Sequence, residues 1–221
     1  MSPLYQPEID KAAVNEKPLW RYEGPIVMID GDQVAEEAAQ VLRAQPFIGI
    51  DTETRPAFKK GQSYDAALLQ LGVHDVVYLL RLNRHGLPRP IAQVLEDNRV
   101  QKVGIAPAQD LRELQRRYPC ASQNVLDLNK HCKGLGFDSI GARKLAALVL
   151  GKRISKRQQL TNWEAKKLSG PQKHYAATDA WICHAIYDTL QKHPPDWSEE
   201  FLRNRKKSRR NQSRRSRVPK P

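Results

Sequence analysis

The stretch FIGIDTE, residues 47–53, predicts a strand that is buried along its first half and acidic at its end. Residues two apart on a strand point to the same face, so Asp51 and Glu53 are expected side by side. Like charges so placed repel, and a bound cation would cancel that repulsion. An all-oxygen ligand set suits Mg²⁺ or Mn²⁺. Taken alone, the pair is equally well explained as solvated acids at the edge of a sheet.

The sequence on both sides of this strand predicts an α/β fold. Before it lie a strand at 25–29 and an alanine-rich helix at 34–43. After it, strands at 67–73 and 76–80 are joined by a short connection typical of an antiparallel hairpin. We therefore expect the first three strands to form a meander. Beyond Pro90 helices and strands alternate, which favours helices on both sides of a mixed sheet. The predicted later elements are helices at 91–97, 108–117, 139–150 and 170–193, strands at 100–105 and 124–128, and a basic segment at 151–170 that connects short helices.

The net charge of +13 is concentrated near the end of the chain. Ten of the 37 lysine and arginine residues lie between Arg203 and Lys220, a segment without an acid, and the other 27 face 24 acids. We predict an irregular lead-in at 1–24, one domain at 25–193 and a disordered basic tail at 194–221. Such a tail binds a phosphate backbone without reading its sequence. A solubilising tail or a nuclear localisation signal is the alternative.

Composition also excludes several classes of protein. No stretch approaches the roughly 18 apolar residues of a membrane span, and the first twenty residues are too polar for a signal peptide. The three cysteines are odd in number and lack C-x-x-C spacing, which argues against disulfides and a structural zinc site. We expect reduced, mostly buried thiols and a cytoplasmic protein, nuclear if the source is eukaryotic, with no membrane partner and no organic cofactor.

A third acid, Asp110, lies where a predicted strand passes into a helix. Open α/β sheets gather ligands at the carboxyl ends of their strands, so Asp110 can face the Asp51 and Glu53 pair. The simpler alternative is an acid in the first turn of a helix, where it stabilises the helix dipole.

The last predicted helix carries a fourth acid. Tyr175 and Asp179 are four residues apart and share a face of that helix, and Ala176 and Ala177 between them would let the helix approach the sheet closely. A phenol beside a metal-binding carboxylate can hold an attacking water. Taken alone, the pattern is better explained by a half-buried tyrosine and a surface aspartate.

Taken in order, D-x-E, then D, then Y-x-x-x-D resembles the DEDD superfamily of 3′–5′ exonucleases in its tyrosine-bearing branch. The resemblance extends past the acids to exonuclease domains of the Werner syndrome type and to the catalytic domain of ribonuclease D. The further segments that carry it are Leu68-Leu69-Gln70-Leu71, Lys102-Val103-Gly104-Ile105, Thr161-Asn162-Trp163, Leu168-Ser169, Gln172 and 175–180.

This resemblance implies a ribonuclease H-like fold, a mixed sheet flanked by helices. It implies that Asp51, Glu53, Asp110 and Asp179 hold two divalent cations, Mg²⁺ or Mn²⁺, and that all four acids and Tyr175 are catalytic. It also places the backbone beside Thr54 against the terminal nucleotide. The implied substrate is DNA or RNA with a free 3′ end.

Alternatives remain at this stage. His174 also fits the H-x-A-x-x-D pattern of the histidine-bearing branch, but it lies about 140° around an unbroken helix from Asp179. A catalytically silent nucleic-acid-binding module with the same fold is the main rival function, although the full acid set argues against it. A metal-dependent nucleotide phosphatase is a third.

Overall fold

A computed structural model describes residues 5–59, 61–198, 201 and 203. They contain one six-stranded sheet of order β1-β4-β3-β2-β5-β6. The strands are β1 Ile26–Ile29, β2 Phe47–Thr54, β3 Ala66–Gly72, β4 Val77–Leu80, β5 Gln101–Gly104 and β6 Val125–Asp127. The helices are α1 Lys11–Glu16, α2 Asp32–Arg43, α3 Leu82–His85, α4 Arg89–Glu96, α5 Ala108–Arg117, α6 Leu128–Leu135, α7 Ala142–Val149 and α8 Gly170–Lys192.

The predicted mixed sheet is confirmed, but its first strand is not where we expected it. β2, β3 and β4 form the antiparallel meander, while β1 lies beyond them and pairs in parallel with β4. The reason is the helical connection α2, whose buried alanine face packs on the sheet while the chain crosses from β1 to β2. β5 and β6 then extend the sheet in parallel on the other side of β2.

Helices cover both faces of the sheet. α2, α4 and α5 bury their apolar stripes against one face, and α7 and α8 pack on the other. The closest approach is that of α8, because a Cβ at Gly49 would collide with the Ala180 carbonyl oxygen, and one at Gly72 would lie 3.0 Å from the Ala180 carbonyl carbon. The predicted close packing is therefore confirmed, and glycines on two adjacent strands share in it.

The lead-in at 5–24 is more ordered than we predicted. Asp10 caps α1 by accepting from the Ala13 amide at 2.8 Å, and Tyr5, Val14 and Tyr22 are buried. Burial of these side chains stabilises the packing of the segment on the domain. Helices α3 and α6 are further differences, since the sequence did not predict them, whereas the basic segment at 151–169 forms turns that connect α7 and α8.

The predicted disordered tail begins at residue 194, and the structure describes only its first part. Trp197 packs against Phe137 with ring centroids 5.7 Å apart, and its indole donates to the Leu135 carbonyl at 2.6 Å. Most of the basic residues, at 204–221, lie outside the described residues. All three cysteines are free and buried, as predicted. None of the described helices is both long and apolar enough to cross a membrane.

Candidate active site

Three of the four predicted acids meet between the sheet and α8. Asp51, Glu53 and Asp179 each offer a carboxylate oxygen, and these oxygens all lie within 4.8 Å of one another. Glu53 and Asp179 are each only 8% exposed, while Asp51 is partly exposed. Two strand residues and one helix residue are thus brought together from positions about 125 residues apart in the sequence.

Local structure explains why these side chains converge. Alternation along β2 directs Gly49, Asp51 and Glu53 toward α8, the first leaving room for the helix and the other two presenting carboxylates to it. The start of α8 is fixed by a capping box, in which Ser169 and Gln172 bond to each other's backbone amides. These contacts place Asp179 opposite the pair.

The acids line a cavity of about 280 Å³. Its wall also contains two cations, Arg143 from α7 and Lys156 from the basic turn segment, and the thiol of Cys183. The remaining lining residues are Thr52, Ile105, Ala142, Ile154, Ser155, Gln159 and Tyr175. This is a polar opening onto a buried acidic wall, which is what a charged substrate and a cation would need.

Asp110 and Thr54 do not line this cavity. Asp110 lies in the first turn of α5, where burial and then the charge of Glu113 raise its pKa to about 6. Its own charge raises the pKa values of Asp51 and Glu53, so it lies near the cluster, although it is not one of the three acids within 4.8 Å. Thr54 ends β2 just past a break in the register between β2 and β3.

The surroundings of the three carboxyl groups disfavour their ionised forms. Burial, and then the charges of Asp51, Asp179 and Asp110, raise the pKa of Glu53 to about 10. Burial and the Asp179 charge raise the pKa of Asp51 well above its usual range, although the Thr52 amide opposes this by donating at 3.0 Å. Burial raises the pKa of Asp179 to about 7. Without a cation, this cluster therefore retains protons near neutral pH.

Tyr175 and His174, the two candidates for holding a water, lie in different surroundings. Tyr175 lines the cavity, and its hydroxyl forms a side-chain hydrogen bond with Asp179. Burial and the nearby carboxylates raise the pKa of Tyr175, which keeps the phenol protonated. His174 is not part of the cavity wall, and its Nδ1 lies 2.9 Å from the Tyr22 carbonyl oxygen instead.

The cluster fits a divalent cation. Carboxylate oxygens are the donors that Mg²⁺ and Mn²⁺ prefer, and none of the three acids forms an ion pair with a described lysine, arginine or histidine. Burial raises the pKa of the Cys183 thiol, so this sulfur stays protonated and is a poor ligand. The repulsion among the acids is therefore left for a hard cation to neutralise.

Sequence reasoning missed Arg143. It lies on the predicted amphipathic helix at 139–150, and nothing in its spacing distinguishes it from a solvated surface residue. The structure brings it to the cavity wall and holds it by a 3.1 Å hydrogen bond to Asn15, which belongs to the lead-in that we expected to be irregular. Lys156 belongs to the basic segment at 151–170, which the sequence did indicate. Its charge opposes the rise in the pKa of Asp179.

Comparisons with known proteins agree with this arrangement. A family profile described as 3′–5′ exonuclease matches residues 26–194. The Aedes aegypti Nibbler EXO domain superposes with a TM-score of 0.69 at 25% identity, covering 80% of this chain and 91% of that one. The superposition confirms the expected ribonuclease H-like fold.

Two curated relatives are also similar. Exonuclease 3′-5′ domain-containing protein 2 of Drosophila melanogaster is 37% identical over 134 residues, which are 59% of this chain and 23% of that protein. Ribonuclease D of Granulibacter bethesdensis is 28% identical over 175 residues, which are 77% of this chain and 43% of that protein. The chain thus spans less than half the length of these two relatives.

Proposed function

This chain belongs to the 3′–5′ exonuclease family of the DEDD superfamily, and we propose that it removes nucleotides from the 3′ ends of DNA or RNA. The observation that carries this proposal is the group of three carboxylates within 4.8 Å at the wall of an open cavity, with no cation of the described residues paired to any of them. A fold accepts such a cluster when its ligand supplies the missing positive charge.

Asp51, Glu53 and Asp179 would hold divalent cations, Mg²⁺ or Mn²⁺, with Asp110 completing a two-ion site from the α5 side. Bound there, two such cations would activate water and stabilise the charge on the attacking and leaving oxygens of a phosphodiester. Hydrolysis joins the water oxygen to phosphorus and breaks the bond to the 3′ oxygen. The products are a nucleoside 5′-monophosphate and a strand shortened by one nucleotide.

Tyr175 would orient the attacking water. Its hydroxyl stays protonated and donates to Asp179, so its oxygen is free to accept a hydrogen from water. A phenol with a raised pKa is a poor base, and the role assigned to it is therefore positioning the water rather than removing its proton. This assignment corresponds to the tyrosine-bearing branch of the superfamily.

The cations of the cavity wall would bind the substrate. Arg143 and Lys156 stand beside the acids, where they would contact phosphates on either side of the scissile bond. The backbone at Thr54, where the register between β2 and β3 breaks, would lie against the terminal nucleotide.

The decisive test is digestion of matched 5′-labelled and 3′-labelled DNA and RNA oligomers with Mg²⁺ or Mn²⁺. We expect a one-nucleotide ladder from the 5′-labelled strand and early release of a mononucleotide from the 3′ label. The Asp179→Asn variant, purified identically, is the control, since a contaminating nuclease would survive that substitution. Oligomer binding without cleavage by the wild type would favour the silent module instead. Turnover confined to free nucleotides would favour the phosphatase.

The basic tail at 194–221 would add affinity for long substrates. Its segment from Arg203 to Lys220 carries ten cations and no acid, and such cations release counterions from a phosphate backbone regardless of its sequence. A chain truncated after Leu202 should therefore bind long oligomers more weakly and with a flatter salt dependence, while its turnover at saturating substrate stays unchanged. An unchanged salt slope would assign the tail to solubility or localisation.

A further inference from the structure

Gln70 carries a fully buried side-chain amide. It lies in the middle of β3 with an exposure of 0%, and neither its side-chain oxygen nor its side-chain nitrogen has a hydrogen-bond partner among the described residues. Leaving a buried amide unsatisfied costs free energy, so a residue of this kind needs an explanation.

The sheet register shows what Gln70 faces. It is the antiparallel partner of Asp51 on β2 and of Leu79 on β4. Residues directly opposite on paired strands point to the same face with Cβ atoms about 4.5–5.5 Å apart. Gln70 therefore lies on the α8 side, between a carboxylate and an apolar side chain. Its other neighbours in this layer are Leu68 and the alanines of α8.

Asp51 is the polar group that this register places next to the amide. One Asp51 oxygen already accepts from the Thr52 amide at 3.0 Å. A carboxylate that binds a cation through one oxygen has a lone pair left on the side facing away from the ion. A side-chain amide offers two N–H donors of the kind that hold such ligands in place.

We propose that Gln70 is a positioning residue for Asp51. Its Nε2 donates to the Asp51 carboxylate when that carboxylate binds a divalent cation, and this hydrogen bond fixes the orientation in which the cation is held. The inference rests on the proposed function, since it requires a cation at Asp51. It goes beyond that function by assigning a role to a residue that does not line the cavity.

The test compares Gln70→Met with Leu79→Met. Methionine is close in length to glutamine but cannot donate, and Leu79 is the other cross-strand neighbour of Gln70 on the same face. Mn²⁺ affinity is measured by calorimetry on chelator-treated protein, and thermal unfolding is measured with chelator present. For Gln70→Met we expect Mn²⁺ affinity to fall by about tenfold or more, with metal-free stability equal to or above wild type. Leu79→Met should leave Mn²⁺ affinity unchanged.

Kinetics provide a second readout. In Gln70→Met the Mn²⁺ concentration for half-maximal activity should rise by the same factor as the dissociation constant, while turnover at saturating Mn²⁺ stays within about threefold of wild type. Gln70→Leu, which is smaller, serves if methionine does not fit. Unchanged Mn²⁺ affinity in a folded Gln70 variant would overturn this inference alone. A wild type that binds no Mn²⁺ would overturn the proposed function as well.

Discussion

Two places in the sheet bury charged side chains, and they are built in opposite ways. Lys102 on β5 is fully buried, and its Nζ donates to the carbonyl oxygens of Asp97 at 2.8 Å and Val100 at 2.7 Å. Asp51 and Glu53 on the adjacent β2 meet Asp179, and within the part of the chain that the structure describes no cation is paired to them. The lysine is satisfied by the fold itself, whereas the acids line a cavity and repel one another.

This difference separates a structural charge from a functional one. The Lys102 ammonium occupies the carboxyl end of α4, where Asp97 is the cap, so its partners are present at all times. Arg143 and Lys156 stand in the same cavity wall as the acids. Even so, neither forms an ion pair with one of the three acids among the described residues. An unbalanced cluster that opens to solvent is poised for a ligand, and its cost to folding is recovered when that ligand binds.

The largest difference between the two places should appear in the rate of hydrolysis when one charged side chain is replaced at each. Asp51→Asn or Asp179→Asn should lower the rate of hydrolysis by about a thousandfold or more, since a lost ligand removes several kcal/mol of transition-state stabilisation. Lys102→Met should leave hydrolysis nearly unchanged. Single-turnover assays on a labelled oligomer measure both. An equal loss of hydrolysis rate in the acid variants and in Lys102→Met would mean that the two places do not differ in function.

The next effect concerns the water. Tyr175→Phe should slow the chemical step by about a hundredfold, because it keeps the ring and loses only the hydroxyl that would hold the water. His174→Ala should change that step by less than about threefold. Single-turnover rates at saturating Mn²⁺ provide the comparison. A larger loss in His174→Ala would transfer the role to the histidine.

Thermal unfolding should then show which buried charges respond to a ligand. Mn²⁺ at about a hundred times its dissociation constant should stabilise the wild type by about 2.7 kcal/mol, or roughly 5–10 °C in melting temperature. Lys102→Met should keep this shift, and Asp51→Asn should lose most of it. In chelator, Asp51→Asn should melt above the wild type, because the neutral amide removes the free-energy cost of keeping Asp51 protonated in the buried cluster. A shift of equal size in Asp51→Asn would place the Mn²⁺ elsewhere.

The smallest effect is a pH dependence of opposite sign in the two regions. The pKa of Asp179 is raised to about 7 in the folded protein, so its contribution to stability is complete below the usual carboxyl pKa and is lost as pH rises through about 7. Burial lowers the pKa of Lys102 to about 8, so its cost to stability is relieved as pH rises from about 8 toward the usual lysine value.

Denaturant unfolding in chelator, across this pH range, checks both signs. Asp179→Asn should flatten the fall in unfolding free energy between about pH 4 and 7, where one proton is worth about 1.4 kcal/mol per pH unit. In Lys102→Met, the rise in unfolding free energy above about pH 8 should disappear. Below about pH 8, the pH dependence should be the same as in the wild type. The same slope in Asp179→Asn and wild type would mean that this carboxyl titrates normally.

Local pattern predicted much of this molecule. The alternation at residues 47–53 predicted both the strand and its acid pair, and helix α5 was predicted with the bounds that the structure shows. What local pattern lacks is long-range pairing. It placed β1 beside β2 because nothing in the sequence reports which edge a crossover helix reaches. It also missed Gly72 as a packing partner of Ala180, and Arg143 in the cavity wall, since both depend on contacts between distant segments.

The site formed by Asp51, Glu53 and Asp179 should exchange protons for divalent cations. Calorimetric titration of chelator-treated protein with Mn²⁺ at pH 7, in two buffers of different ionisation enthalpy, measures this exchange. The pKa of Glu53 is raised to about 10, and that of Asp51 is also raised, so Mn²⁺ must displace their protons. We predict saturable binding with release of about one to two protons, abolished in Asp51→Asn. Binding without proton release, or binding that survives in Asp51→Asn, would mean that these acids do not form a shared cation site.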